Sequence, residues 1–432
     1  MLPSRQADEW STRRRTYVLV LLCLATVLNY IDRYLPSILL EPIKGSLHVS
    51  DTAMGVLTGT AFSICYVVAG FPIARWADRS ERRSIIALCL ALWSSMTAVS
   101  GLALNFLQLA IARAGVAIGE SGAVPASQSM LADLYPAEKR ATAIGIVTSA
   151  GAAGIGFGLF LGGWLNATFD WRVAFFIVGI PGLILAFLMR FTVREPVRGM
   201  SDANGPGRII PLREVLSIVT RIPSFRLIFL IALAVAFSSY GMIAWAPAYF
   251  MRVHGMTTAE AGLWLGIATL IGTGGGNLLA GFLADRLGKK DVRWYALVAG
   301  FGTLASTPFG VAFALAGDAR LAILFYILSQ LFKSLWFAPA YSMALTLAPP
   351  SMRAMTSAIL TAVVNLGLGF GPLAIGMMND AFLGRFGEEG IRYSLTISMI
   401  GLLVAGAACL ALARCYRRDL AAAGNATASA NS

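Results

Sequence analysis

Five charged side chains stand inside stretches that are otherwise apolar: Asp32, Arg33, Arg113, Glu120 and Lys333. Carboxylates and cations in such surroundings can do proton and ion-pair chemistry. Burial raises a carboxyl pKa and a nearby arginine lowers it, so a rearrangement that changes the neighbour can load or release a proton. Asp32 and Glu120 are the acidic residues placed well inside those stretches, and they are expected to carry the proton. One would take it up in one state and re-form an ion pair with Arg113 or Arg33 in the other. The plainer alternative is a static bridge that only holds two helices together. The five groups sum to +1, which suits an anionic or zwitterionic head group, such as a phosphate, near the arginine and lysine. Lys333 has a second reading, as a partner of Glu120.

Other chemistries find no support. There are two histidines and five cysteines, and no CxxC pair, so no metal site or disulfide framework is indicated. P-loop, HExxH and GxSxG motifs are missing from the sequence, so neither ATP-driven pumping nor hydrolysis is expected. The chain reads as a non-enzyme with no cofactor beyond protons.

The elements that carry these charges follow from composition. The 432 residues are 57% hydrophobic and 13% charged, with mean hydropathy +0.72. Soluble domains are about 45–50% apolar and about a quarter charged. A soluble core of this length could not hide so much apolar surface, so the chain reads as an all-α integral membrane protein. A spanning helix needs about 20 residues for about 30 Å of hydrocarbon. Twelve such stretches fall near residues 16–39, 52–76, 84–104, 107–134, 141–168, 172–193, 225–250, 260–284, 294–316, 320–347, 354–380 and 391–415. The ten-residue alternation of barrel strands is not seen.

Charge sets the orientation. The net charge is +12, from 34 basic and 22 acidic residues. In a soluble protein this would suggest a nucleic-acid partner; here basic inner loops account for it. The outer loops hold only Lys44, Arg172, Arg252, Arg320, Arg385 and Arg392, so both termini are expected in the cytoplasm. Residues 1–15 form a polar cytoplasmic segment ending in Arg13-Arg14-Arg15, not a signal peptide. Residues 194–224 form a cytoplasmic linker, rich in proline, glycine and arginine, between six-helix bundles at 16–193 and 225–415. Residues 416–432 are a cytoplasmic tail, expected to be disordered beyond Arg418. The basic ends point to an inner, or plasma, membrane.

Depth brings the charges into register. At about 1.5 Å per residue, Asp32 lies about 24 Å from the inner start of its span and Arg113 about 9 Å below the outer start of its own. Both then sit in the outer half. Glu120 and Lys333 each lie about 20 Å down. Arg113 and Glu120, seven residues apart, share a helix face. A charge at mid-bilayer costs at least about 2.5–3.5 kcal/mol unless it is paired or wet.

The two halves repeat. Asp78 of Ala77–Arg83 (ADRSERR) and Asp285 of Ala284–Lys290 (ADRLGKK) are 207 residues apart. Arg140 and Arg353, in matching segments that each open on a proline, are 213 apart, and Pro125 and Pro339 are 214 apart. An internal duplication of six spans is a transporter signature, with the substrate site expected near the midplane between the repeats.

These motifs resemble the major facilitator superfamily over nearly the whole chain. Its loop motif is roughly GxLADRxGRK. Gly281–Lys290 fits closely; the first copy departs, with Ala74 and Glu81 at glycine positions. The resemblance implies a cytoplasmic gate formed by Asp78, Arg79, Arg82, Asp285 and Arg286. A carboxylate there would cap a neighbouring helix and pair with basic residues; ordinary positive-inside charge is the plainer reading. Within the superfamily, Asn29-Tyr-Ile-Asp32-Arg33, the Arg113–Glu120 element, Pro125, the span 5 glycines and Trp171-Arg172 resemble the Spinster branch. Its animal members export sphingosine phosphate or lysophospholipids. The resemblance implies proton-coupled transport of lysolipid or sphingoid amphiphiles by alternating access, by a monomer in the bilayer. Tyr34 and Trp336 would join Arg33, Arg113 and Lys333 at the substrate, though aromatics in spans usually pack helices or sit at interfaces. The anion:cation symporter branch shares Glu120 and Pro125, so a proton-coupled symporter of a small organic anion is the alternative.

Overall fold

A computed structural model describes residues 10–197, 212–349 and 352–430. Residues 1–9 of the N-terminal segment, part of the linker at 198–211, residues 350–351 of the second repeat segment and the last two residues lie outside the described residues. Among the described residues every regular element is helical and there is no strand. In hydrocarbon each backbone N–H must be satisfied within its own segment, which a helix does.

The first half supplies α1 (Thr12–Ile38), α2 (Leu40–Leu47), α3 (Asp51–Gly55), α4 (Ala61–Arg79), α5 (Arg82–Ser100), α6 (Phe106–Leu134), α7 (Ala137–Thr168) and α8 (Trp171–Thr192). The second supplies α9 (Leu212–Arg221), α10 (Pro223–His254), α11 (Thr258–Thr269), α12 (Gly275–Gly288), α13 (Arg293–Leu315), α14 (Ala319–Lys333), α15 (Phe337–Leu347), α16 (Arg353–Phe386), α17 (Gly390–Ser398) and α18 (Ile400–Ala430). Polar caps begin several of them. Asn105 accepts from Gln108 N at 2.9 Å to open α6, and Asp318 accepts from Arg320 N and Leu321 N to open α14. Gly255, at φ 65, closes α10 with the left-handed turn that glycine adopts without strain. α18 runs on through the tail, where disorder was expected, to Ala430; that stretch is rich in alanine, the strongest helix former.

Among the described residues, ten segments are long and apolar enough to cross a membrane. Twelve were expected. Residues 106–134, which carry Arg113, Glu120 and Gln128, are not among the ten, and Met355–Ala422 is one continuous stretch of 68 residues, more than one crossing requires.

The chain divides into two compact units. Unit 1 comprises residues 1–50, 56–206 and 256–266; unit 2 comprises 51–55, 207–255 and 267–432. The expected bundles at 16–193 and 225–415 thus each give up one short segment. The cause is close backbone approach at glycine. In unit 2, a Cβ on Gly376 would lie 2.4 Å from the Asp51 carbonyl oxygen, and one on Gly55 2.7 Å from that of Pro372. In unit 1, a Cβ on Gly163 would lie 2.3 Å from the Thr258 carbonyl oxygen, and one on Gly262 2.4 Å from that of Leu159.

Within unit 1, α1 packs along α7, and α5 packs against α6 and α8 around the buried Trp93 and Trp171. Within unit 2, α10 packs against α16 and α18, and α13 against α14 and α18. Its core holds Trp245, Tyr249, Phe250 and Phe313, with Trp245 Nε1 donating to the Pro372 carbonyl at 2.9 Å.

Two short segments depart from α geometry in a repeated way. Val56–Thr60, before α4, and Leu270–Gly274, before α12, are both π-helical. They are 214 residues apart, the spacing of the sequence repeat. π turns inside helices concentrate at functional sites.

Candidate functional site

The charged residues of unit 1 come together on α1 and α6. Glycines allow it. On α7, a Cβ on Gly154 would lie 2.6 Å from the Val27 carbonyl oxygen, and one on Gly158 2.9 Å from Ile31 Cα, so α1 sits against α7 at backbone distance. On α6, a Cβ on Gly119 would lie 2.7 Å from the Trp93 backbone nitrogen, which draws α6 onto α5.

Arg33 pairs with Glu120. Its Nη2 and Nε donate to the same oxygen, Oε2, at 2.6 and 3.0 Å. The Glu120 side chain is fully buried, and its Oε1 has no protein hydrogen-bond partner. The Arg33 guanidinium carbon also lies 4.9 Å from the Phe62 ring centre and 5.1 Å from that of Tyr66, within cation–π range. Arg113, which shares a helix face with Glu120, is not its hydrogen-bonded partner. It is 2% exposed, and its Nη2 donates at 3.1 Å to the main-chain carbonyl of Asp32, not to the carboxylate. Its Nε and Nη1, and Asp32 Oδ1, are buried without partners. Four charged groups therefore share one buried region, yet much of their hydrogen-bonding capacity is unspent. Buried polar groups are normally satisfied, so such a surplus marks a place where a proton, water or ligand is accommodated.

Tyr34 is buried on α1, its ring stacked on Tyr30 with centroids 6.4 Å apart. In unit 2, Lys333 ends α14 and is 4% exposed, and its Nζ lies 4.0 Å from Met242 Sδ. Trp336 follows in a 3₁₀ turn, Ser334–Trp336, that separates α14 from α15.

The expected gate residues differ in burial. The Asp78 side chain lies outside the described residues, and Arg79 is exposed at the end of α4. Asp285 and Arg286 are exposed on α12, with Arg286 5.8 Å from the Phe282 ring centre. Arg82 is different. It is 1% exposed, so positive-inside charge alone does not account for it. Its Nε donates to Glu195 Oε1 at 2.8 Å, its Nη2 to the Pro196 carbonyl at 2.8 Å, and its Nη1 to Asp133 and Ser129. Arg83 N donates to the other Glu195 oxygen at 2.8 Å. Arg82 thus fastens the chain after α8 to the ends of α5 and α6. The linker glutamate that makes this possible was not anticipated; a lone acid beside proline in a basic stretch carries no spacing signal.

The departure of the first loop motif has a local explanation. Glu81 adopts φ −63, so no left-handed turn demands glycine there. Its carboxylate accepts from Arg83 Nη2 and Ser84 Oγ, both at 2.8 Å. At the matching Gly288, a Cβ would lie 2.3 Å from the Tyr295 ring, so room rather than backbone angle excludes a side chain.

Unit 2 holds a second buried pair that sequence reasoning missed. Arg252 Nη1 and Nη2 donate to the two oxygens of Asp51 at 2.5 and 2.8 Å. Asp380 accepts from the main-chain N–H groups of Asp51 and Thr52 at 3.1 and 2.8 Å. Arg252 had read as an ordinary outer-loop cation, and nothing in the spacing ties residues 51, 252 and 380.

Comparison with known proteins agrees with this architecture. The Major Facilitator Superfamily pattern matches residues 22–301 and 271–430. A crystal structure of a bacterial homologue of the human lysosomal transporter Spinster, inward-facing and unoccupied, superposes with a TM-score of 0.86 at 30% identity, covering 95% of this chain and 99% of that one. An MFS-type efflux pump of Mycolicibacterium smegmatis is 35% identical over 96% of each chain. A probable galactarate/D-glucarate transporter of Bacillus subtilis is 28% identical over 65% of this chain and 66% of its own. Repeat, helical fold and matched residues agree: this chain is a multi-pass membrane protein that belongs to the Major Facilitator Superfamily and is Spinster-like in sequence and structure.

Proposed function

We propose that the protein is a proton-coupled secondary transporter of lysolipid- or sphingoid-type amphiphiles. It works by alternating access as a monomer in an inner membrane, with twelve spans and both termini cytoplasmic. The observation that carries the reading is the unspent capacity of the unit 1 cluster. Asp32 Oδ1, Glu120 Oε1 and two Arg113 nitrogens are buried without partners. A static bridge would have no reason to leave them so. Asp32 and Glu120 are the proton carriers. Protonation of Glu120 weakens its hold on Arg33, which then turns to substrate. Arg33, Arg113 and Tyr34 in unit 1, and Lys333 and Trp336 in unit 2, are the substrate contacts. Asp78, Arg79, Arg82, Asp285 and Arg286 form the cytoplasmic gate, with Arg82 its anchored member. The resemblance of the span 1 and span 4 motifs to the Spinster branch supports the amphiphile class.

The test is lysolipid flux in proteoliposomes under an imposed pH gradient, wild type against Glu120→Gln. Gradient-stimulated flux that Glu120→Gln removes supports both substrate and coupling; no flux from folded protein rejects the amphiphile reading. A second reading, symport of a small organic anion, is favoured by the likeness to the Bacillus subtilis galactarate/D-glucarate transporter and by the buried cation Lys333. Uptake of glucarate under the same gradient decides for it.

A further inference from the structure

The face of α14 that ends in Lys333 carries a polar group the proposed function has not used. Tyr326, Gln330 and Lys333 are spaced four and three residues apart, so they stack along one side of the helix. Gln330 is fully buried. Its Nε2 donates to the Tyr326 hydroxyl at 3.1 Å, and its Oε1 is left buried with no partner among the described residues. One turn on, the Lys333 ammonium is 4% exposed, with a methionine sulfur at 4.0 Å. Among the described residues, an acceptor without a donor and a cation without an anion therefore stand one helical turn apart in unit 2.

The backbone around them is interrupted on both sides. The α-helix stops at Lys333 and gives way to the 3₁₀ turn Ser334–Trp336. Opposite runs the π-helical segment Leu270–Gly274. A Cβ on Gly272 would lie 2.7 Å from Gln330 Cβ and 2.9 Å from the Ile327 carbonyl oxygen, so this segment presses directly on the Gln330 face. Its counterpart Val56–Thr60 sits at the same position of the first repeat. Helices interrupted at corresponding positions of two repeats mark transporter binding sites, because irregular backbone survives at membrane depth only where it is buried in protein or lines a cavity.

We infer that Gln330 and Lys333 form a specificity-determining subsite for an anion that carries an O–H or N–H donor a few ångströms away. Lys333 takes the anion and Gln330 Oε1 takes the donor. Among lysophospholipids, glycerol and ethanolamine head groups present such a donor beside the phosphate; choline presents none. The same chemistry is found in a free hydroxy acid such as glucarate, whose six-carbon analogue adipate lacks the hydroxyls. A site built to hydrogen-bond a donor rejects the analogue without it, because its buried acceptor is then left unpaired. The lipid arm of this inference rests on the proposed amphiphile transport; the hydroxy-acid arm does not.

The experiment measures proteoliposome flux of lysophosphatidylglycerol, lysophosphatidylethanolamine and lysophosphatidylcholine of one chain length, and thermal stabilisation by glucarate against adipate. Wild type and Gln330→Met are compared. The expected result is a preference of at least about tenfold for the donor-bearing member of each set that binds, collapsing towards equality in Gln330→Met. If that variant does not fold, Gln330→Ala takes its place. If no lysolipid of any head group moves, the amphiphile reading fails, and the glucarate–adipate pair alone judges the subsite. Equal handling by wild type of donor-bearing and donor-free members, in whichever class binds, overturns the inference. So does a preference that survives in folded Gln330→Met.

Discussion

Arg33 and Glu120, 87 residues apart in sequence, meet through a single carboxylate oxygen: both guanidinium contacts, at 2.6 and 3.0 Å, fall on Oε2, and Oε1 is buried with no partner. A bidentate pair would engage both oxygens and be harder to undo. Glu120→Gln keeps the shape and removes the charge. Stimulation of flux by a pH gradient is expected to vanish while gradient-independent exchange persists. Exchange and gradient-driven flux, measured on the same vesicles, separate this from simple misfolding; a variant that keeps its gradient stimulation leaves only the static bridge.

Arg82 is expected to matter through stability. Arg82→Met removes the guanidinium that joins Asp133 and Glu195, and breaking a buried pair on one side costs about 3–5 kcal/mol. Arg83, which is partly buried and pairs with the exposed Glu81, should cost less than Arg82 when changed to alanine. Thermal unfolding in detergent orders the two; equal melting points would contradict the burial argument.

The Asp51–Arg252 pair allows a graded test. Arg252→Ala removes the guanidinium from which both oxygens of the 2% exposed Asp51 accept, again about 3–5 kcal/mol. Arg252→Lys keeps the charge but cannot reproduce the fork that meets both oxygens. Melting temperature should fall in the order wild type, lysine, alanine, and a lysine variant as stable as wild type would show that charge alone suffices.

Two kinds of glycine should respond oppositely to a side chain. Gly158→Val drives atoms into α1 at Ile31, beside Asp32, and overpacking of this sort costs about 1–3 kcal/mol. Gly274→Ala and Gly275→Ala meet nothing within 4 Å, so they should stabilise by up to about 1 kcal/mol by stiffening the chain. Both lie at the end of the π segment, and slower flux in a more stable Gly274→Ala/Gly275→Ala protein would identify that segment as one that must flex. Gly145→Ala, likewise free of contacts, is the control.

Glu81 predicts a pH effect outside the membrane. Hydrogen bonds from Arg83, and then from Ser84, hold its carboxyl below the usual carboxylate range. A group depressed in the folded state contributes stability above its unfolded value, near pH ~4.3, and loses it as pH falls towards the folded one. Glu81→Gln should therefore lower the neutral part of a stability–pH curve slightly, flatten its acid limb and leave the most acid part almost unchanged. A steeper limb in the variant would reverse the sign.

Much of this molecule was legible in the residues themselves. Spanning stretches, basic inner loops, the repeat and the five charges inside the spans are properties of composition and order, and the bilayer imposes them on any chain of this kind. The span 5 glycines, read as sites of close packing, do bring α1 against α7. Partner choice was not legible. Arg113 shares a helix face with Glu120, yet Arg33 from another helix holds it, because helix rotation and the approach allowed at Gly154 and Gly158 decide which guanidinium reaches. Asp51, Arg252 and Asp380 gave no local signal, since a salt bridge across some 200 residues depends on how helix ends meet. The π turns at 56–60 and 270–274 also emerged only in three dimensions, the first beside a close backbone approach at Gly55 and the second containing one at Gly272.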